Sequence, residues 1–184
     1  MTQFDLTDDQ RQIQEMARKF TADGGDYFGI NAKGSVPALE LDGGEVLTEN
    51  GAVLQYIGDL AGDGVLLPTS GLARYRVIEW LSYLGSDVHK SFGPLFNPAS
   101  SDEAKQAARD MVGKKFDFLE KRLAGKDYLT GDHLSVADPY LFAMLGWTGK
   151  LGIDLAKWPN LTAFRNRMAQ REAVQTVLKA EGLA

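Results

Sequence analysis

The residues best suited to chemistry are the histidine and lysine at His89 and Lys90. An imidazole titrates near neutral pH and can donate or accept a proton. The same histidine could instead lie inertly on a helix face, and the residues alone leave both interpretations open. The other histidine, His133, precedes a helix start in a polar loop, where a solvated role is the better interpretation. The chain has no cysteine, which excludes disulfides, thiolate metal sites and a cysteine nucleophile of its own.

Two residue pairs nearer the start of the chain are further candidates. Val36 and Pro37 begin a short apolar run, and such a pair commonly marks no more than the start of an edge strand. Glu49 and Asn50 begin a helix, where an acid is favoured by the helix dipole, so Glu49 could simply face solvent. The tryptophans are interpreted as core or interface fillers, with ligand stacking as the lesser alternative: Trp80, Trp147 and Trp158.

Composition narrows the classes of partner. Hydrophobic residues make up 44% and charged residues 24% of 184 residues, which is typical of a globular protein. The formal charge of −5 and the lack of a Lys/Arg run argue against nucleic acid. The polar, acidic start and the lack of an apolar run approaching the ~20 residues of a membrane span predict a cytoplasmic protein with no membrane partner.

The elements that must position these candidates begin with an N-terminal helix. Residues 1–23 read as one amphipathic helix that begins at Thr7 and ends before Gly24. Its apolar stripe, at i, i+3, i+4 and i+7, comprises Ile13, Met16, Ala17 and Phe20.

A β-hairpin and a helix follow. The runs Val36–Leu41 and Glu45–Thr48, joined by Asp42-Gly43-Gly44, predict the hairpin. A helix should begin at Glu49, and a linker over residues 63–71 separates this part from the rest.

Everything beyond the linker has helical spacing, so the second part is predicted to be all-α. One long helix should run from Leu72 towards Phe92, and another from Ser101 to Leu123. The predicted core face of the second comprises Ala104, Ala108, Met111, Val112, Phe116, Leu119 and Leu123. Ser135 and Asp138 form a predicted capping box, in which the hydroxyl accepts a backbone N–H and the acid reaches back; it opens a central apolar helix over Pro139–Gly146.

Four stretches, in this order, resemble bacterial beta-class glutathione transferases over residues 24–184. They are Asn31-Ala32-Lys33-Gly34-Ser35-Val36-Pro37-Ala38-Leu39, Leu47-Thr48-Glu49-Asn50, His89-Lys90 with Pro94-Leu95-Phe96, and Ser135-Val136-Ala137-Asp138. The resemblance implies a mainly α fold. A truncated thioredoxin-like glutathione-binding part (residues 24–62, hairpin plus helix) would precede the linker and an all-α C-terminal domain over residues 72–184.

The resemblance also implies roles for particular residues. Val36 would pair its backbone with the cysteinyl part of glutathione, with Pro37 cis. Glu49 would accept the γ-glutamyl ammonium, and the backbone amide of Asn50 would hold the γ-glutamyl carboxylate. His89 would face the glutathione sulfur as the catalytic residue, and Lys90, the other member of this His-Lys pair, would bind glutathione. The implied partners are glutathione as substrate, a small hydrophobic electrophile and a second copy of the chain, with no metal and no separate cofactor.

The sequence also departs from the family. The family begins with a βαβ unit that carries its cysteine, whereas residues 1–23 resemble the first helix of an acyl-CoA dehydrogenase. Ser82 stands where the family often has asparagine, and Gly93 where a hydroxyl is usual. We therefore expect an impaired transferase, and expect the stripe of the N-terminal helix to cover the exposed edge of the hairpin.

The alternative function is a non-catalytic module that binds glutathione or dimerises. An acyl-CoA dehydrogenase is not favoured, because nothing after the first helix supplies a flavin site.

Overall fold

The computed structural model describes residues 27–62 and 64–183. The chain divides into an N-terminal unit, residues 1–53, and a C-terminal unit, residues 54–184. The predicted helix over residues 1–23, its stripe and its packing on the hairpin lie outside the described residues. The helices are α1 (Tyr27–Ile30), α2 (Asn50–Leu60), α3 (Gly71–Tyr83), α4 (Gly93–Phe96), α5 (Asp102–Leu123), α6 (Ala137–Trp147), α7 (Pro159–Ala169) and α8 (Glu172–Ala180), and the strands are β1 (Ala38–Glu40) and β2 (Val46–Thr48).

The predicted hairpin is present in the N-terminal unit. β1 and β2 pair antiparallel, with Leu39 opposite Leu47. The three-residue turn closes through a hydrogen bond from the Leu41 N–H to the Glu45 carbonyl, at 2.8 Å. Gly44 has φ of +79°, a conformation that glycine adopts without the steric cost of a Cβ. The paired strands are shorter than the apolar runs that predicted them.

The C-terminal unit is an all-α bundle, as the spacing predicted. Its core is formed by the inward faces of α3, α5, α6 and α7, with Leu84, Phe116 and Leu141 completely buried. Two members of the predicted core face of α5 are wrong: Ala104 is exposed and Met111 is 46% exposed. Because an α-helix has 3.6 residues per turn, positions seven residues apart do not stay on one face along a helix of this length. Ala104 and Met111 therefore lie at the solvent-facing side of α5.

Close packing surrounds the end of α2 that lies in the C-terminal unit. A Cβ added at Gly58 would lie 2.7 Å from the Leu67 Cβ and 3.0 Å from the Val136 Cγ1. The Val136 N–H also donates to the Leu66 carbonyl, at 3.1 Å. Glycine is therefore required at residue 58 by the close approach of neighbouring side chains.

The long helix predicted over Leu72–Phe92 changes its winding. After α3 the chain forms a π-helix over Leu84–His89 before α4 begins at Gly93. Val88 and Leu84 on this π-helix are completely buried. Single π-helical turns within helices are frequent at functional sites.

The capping box at the start of α6 is present, with a different direction of hydrogen bonding. The Asp138 carboxylate reaches back and accepts from the Ser135 N–H at 2.7 Å, as predicted. However, the Ser135 hydroxyl donates to the same carboxylate at 2.8 Å and only weakly accepts from the Ala137 N–H, at 3.4 Å. Asp138 also accepts from the Leu129 N–H, at 2.9 Å. The carboxylate therefore serves as a buried hub that joins a loop to the helix.

Candidate functional site

The segment before Val36 is held by side chains of the N-terminal unit. The Tyr27 hydroxyl donates to the Ser35 carbonyl at 2.6 Å, and the Asn31 side-chain amide donates to the same carbonyl. Asn31 is buried, and its amide oxygen accepts from the Lys33 N–H at 3.1 Å. Val36, the next residue, is 82% exposed, and the peptide bond between Val36 and Pro37 is cis.

Glu49 joins β2 to α2 in a left-handed conformation. Its φ is +75°, which is uncommon for a residue other than glycine. Its carbonyl accepts from the Ala52 and Val53 N–H groups, both at 3.0 Å, so Glu49 caps the first turn of α2. Left-handed residues held outside turns cluster at ligand sites, which makes Glu49 a candidate for binding.

The carboxylate of Glu49 is paired with Lys33, to which the sequence analysis assigned no role. The Lys33 ammonium donates to a carboxylate oxygen of Glu49 and, at 2.8 Å, to the Thr48 hydroxyl. The hydrogen bond and charge of Lys33 lower the pKa of Glu49 below its usual 4.5. The Glu49 side chain is 71% exposed and keeps room for a further donor, since an ionised carboxylate has about four acceptor positions.

His89 ends the π-helix of the C-terminal unit among aromatic rings. Its Nδ1 lies 2.7 Å from the hydroxyl of Tyr140 on α6, and its ring centroid lies 5.0 Å from that of Trp147. Phe92 and Phe96 pack edge-to-face on Trp147, at 5.3 and 5.2 Å. Partial burial lowers the pKa of His89 below its usual 6.5, because it penalises the charged imidazolium. The lowered pKa favours the neutral form of His89, and the half-exposed ring of Phe96 extends the aromatic surface beside it.

An ion pair fixes the π-helix to α5. The Lys115 ammonium donates to the Asp87 carboxylate at 2.6 Å, and the Ser86 hydroxyl donates to the other carboxylate oxygen at 2.9 Å. The hydrogen bond from Lys115 holds the pKa of Asp87 below its usual value. The residue that precedes His89 by two positions is thus tied to a neighbouring helix.

The remaining sequence candidates have plain positions. Lys90 follows His89 and is exposed, and Asn50 is the first residue of α2. Ser82 donates its hydroxyl to the Ile78 carbonyl of its own helix at 2.8 Å. Among residues 27–62 and 64–183, no cluster of His, Asp and Glu is suited to holding a metal ion.

Tyr140 is the partner that sequence reasoning missed. It lies in the apolar helix predicted to be central, so its position gave no sign of a polar role. Trp147 was interpreted as a filler, with ligand stacking as the lesser alternative; it contacts His89. A hydroxyl on an otherwise apolar helix was the one available signal, because buried tyrosines usually find a hydrogen-bond partner.

A hairpin that leads through an exposed acid into a helix, followed by an all-α bundle with an aromatic-lined histidine, defines a glutathione transferase-like architecture. Residues 87–172 match the family described as glutathione S-transferase, C-terminal domain. The glutathione S-transferase GstA of Escherichia coli O157:H7 is 40% identical over 170 residues, which are 92% of this chain and 85% of that protein. The chain belongs to the glutathione S-transferase family.

Solved structures agree with this assignment. A sphingomonad glutathione S-transferase complexed with glutathione superposes with a TM-score of 0.83 at 50% identity, covering 88% of this chain and 82% of that one. The beta-class glutathione S-transferase of Sphingomonas chungbukensis superposes with a TM-score of 0.84 at 52% identity, covering 88% and 81%. The fold is thus mainly helical, with a thioredoxin-like hairpin part and a helical C-terminal domain of this family.

Proposed function

We propose that this protein binds reduced glutathione and conjugates it to small hydrophobic electrophiles, with no metal or separate cofactor. Family membership, at 40% identity over 92% of the chain, is the observation that carries the proposal. In this proposal Val36 and Pro37 present backbone groups to the cysteinyl part of glutathione, and the Asn50 amide holds the γ-glutamyl carboxylate. Residues 24–62 form the glutathione-binding part, 63–71 the linker and 72–184 the helical domain.

Glu49 is the most direct test of binding. Its exposed carboxylate would accept the γ-glutamyl ammonium in a charge-assisted hydrogen bond, alongside its contact with Lys33. Glu49→Gln should weaken glutathione about 10- to 100-fold by calorimetric titration, the loss equivalent to one such hydrogen bond. The matched control is Glu45→Gln, an exposed acid of the same hairpin, which should leave affinity unchanged. Equal affinities in the two variants would remove Glu49 from the site.

His89 is the proposed catalytic residue, and Lys90 beside it is proposed to bind glutathione. A neutral imidazole can stabilise the forming thiolate, while the electrophile rests on the accessible rings of Trp147 and Phe96. With glutathione and a chromogenic aryl halide, His89→Ala should lower kcat about 100-fold, the low end for losing one donor that stabilises a forming anion. His133→Ala, at the other histidine, is the control. Unchanged rates in His89→Ala would end the catalytic assignment.

The second candidate is a non-catalytic module that binds glutathione or dimerises. The lack of cysteine favours it, because the beta-class resemblance implies a cysteine beside the thiol. A module that binds glutathione would still bind it in the titration, and Glu49→Gln would still lower its affinity. It would give no conjugation above the uncatalysed rate. The combined titration and aryl-halide assay therefore separates the two functions.

We also propose a homodimer formed through α3 and α5. Leu72 and Tyr75 on α3 are 68% and 67% exposed, and Phe118 on α5 is 44% exposed. Tyr83 links the two helices, with its ring 5.2 Å from Phe118. Light scattering should find a dimer that Tyr75→Glu dissociates. Val177→Glu, at a half-exposed apolar residue of α8, should not; a monomeric parent would refute the interface.

The N-terminal segment and the location of the protein complete the proposal. We propose that residues 1–23 share their ancestry with the start of an acyl-CoA dehydrogenase. A cytoplasmic location is proposed as well, to be tested by cell fractionation; within residues 27–62 and 64–183, no helix is long and apolar enough to cross a membrane.

A further inference from the structure

The hydrogen bond between His89 and Tyr140 joins residues that are 51 positions apart in the sequence. Tyr140 lies on α6 and is only 9% exposed, so its ring cannot readily turn away. Its ring meets that of His89 edge-on, at 5.8 Å and 69°. The contact therefore connects a rigid helix of the core to the ring of the proposed catalytic residue.

The direction of this bond determines what the rest of the imidazole can do. A neutral imidazole has one nitrogen that donates and one that accepts. The basic nitrogen of imidazole is a better acceptor than a phenolic oxygen, and the phenolic O–H is a good donor. The favoured arrangement is thus Tyr140 O–H donating to Nδ1, which leaves the proton of the ring on Nε2.

The backbone supports this arrangement. The π-helix that carries His89 is tied to α5 by Asp87 and Lys115, and Val88 is completely buried beside it. Gly85 of the same π-helix lies close to the Tyr140 hydroxyl, because a Cβ added at Gly85 would be 3.7 Å from that oxygen. The backbone that carries His89 is therefore held by packing and by an ion pair.

We infer that Tyr140 is a positioning residue that holds His89 in the tautomer with Nε2 protonated, so that the free ring nitrogen is a hydrogen-bond donor. The inference rests on the proposed function for its consequence. His89 would then stabilise the glutathione thiolate as a donor and would not remove the thiol proton. That proton passes to solvent water, the sulfur electron pair forms the C–S bond, and the halide leaves with the electrons of the broken carbon–halogen bond.

The tautomer can be read directly by NMR without any substrate. The chain has two histidines, so ¹⁵N-labelled protein gives few ring signals, and His133→Gln assigns those of His89. In long-range ¹H–¹⁵N spectra above pH 8, Nδ1 of His89 should resonate as an unprotonated nitrogen and Nε2 as a protonated one. The reverse pattern would overturn the inference.

The variant Tyr140→Phe removes only the hydroxyl. The two ¹⁵N shifts of His89 should then move towards each other, because both tautomers become populated. The kcat should fall about three- to tenfold, which is equivalent to the loss of one ordinary hydrogen bond, and the KM for glutathione should not change. Tyr128→Phe is the matched control, since it removes a hydroxyl that accepts from Arg171 at 3.2 Å. It should leave the His89 shifts and kcat as in the parent.

The outcomes separate this inference from the proposed function. Unchanged His89 shifts in Tyr140→Phe would refute the positioning role, whatever the kinetics. If the shifts change as expected but His89→Ala keeps full activity, the tautomer assignment stands and the catalytic role falls. Retained dispersion of the amide spectrum shows in each case that the variant is folded.

Discussion

Replacing Asp138 by alanine should destabilise the C-terminal unit by about 3 kcal/mol. The carboxylate is completely buried and accepts from the Leu129 N–H, the Ser135 N–H and the Ser135 hydroxyl. The hydroxyl can rotate to another acceptor, but the backbone N–H groups cannot, and each buried donor left unpaired costs about 1–3 kcal/mol. Burial disfavours the charged carboxylate and raises the pKa of Asp138, and removing the carboxyl relieves this cost. The expected loss is therefore smaller than the largest sum for two unpaired donors.

Related variants give a graded series. Asp138→Asn keeps one acceptor oxygen and should cost about 1.5–2 kcal/mol, because its NH₂ group faces a backbone N–H. Ser135→Ala removes one donor and should cost about 1 kcal/mol. The control is Asp102→Ala, an exposed acid in the first turn of α5, which should cost no more than about 0.5 kcal/mol.

Urea denaturation followed by helical circular dichroism measures these differences. A 3 kcal/mol loss in a protein of this size corresponds to a Tm lower by about 6–12 °C. If Asp138→Ala lies within about 1 kcal/mol of the parent, or matches Asp102→Ala, the buried hub does not stabilise the fold as described.

Three further predictions concern packing and charge. Gly113 lies in the interior of α5 and an added Cβ would sit at an ordinary contact distance, so Gly113→Ala should raise the free energy of unfolding by about 0.5–1 kcal/mol. Gly58→Ala should lower it by about 1–3 kcal/mol, because the added Cβ would overlap neighbouring side chains, so the denaturation assay should show opposite signs for the two variants. In an NMR titration the pKa of His89 should lie below 6.5. The neutral imidazole then contributes stability to the folded state above pH 6.5, and this contribution is lost as pH falls through the pKa of the folded state. A pKa above 6.5 would contradict the partial burial of the ring. Lys33→Met should raise the pKa of Glu49 towards 4.5 in a carboxyl NMR titration, because Lys33 is what lowers it. In the parent protein the ion pair stabilises the folded state above pH 4.5, and this stabilisation is lost as pH falls through the lowered pKa of the folded state. An unchanged pKa in the variant would mean that the pair does not persist in solution.

Much of the local structure could be predicted because its signals are short-range. Glycine at residue 44 permits the left-handed turn that closes the hairpin, and Ser101 caps α5 through the Ala104 N–H at 3.2 Å. Asp138 three residues after Ser135 announced the start of α6. The motifs that indicated the family are equally local, so they too were readable without a structure.

Tertiary structure decided which side chains meet. The pairing of Lys33 with Glu49 and of His89 with Tyr140 spans 16 and 51 positions, and no spacing rule connects residues that far apart. The π-helix before His89 was likewise unforeseen. Helical and strand periodicities specify which face of one element is apolar, whereas the partner of a polar group depends on how several elements pack together, and that packing is specified by the whole chain.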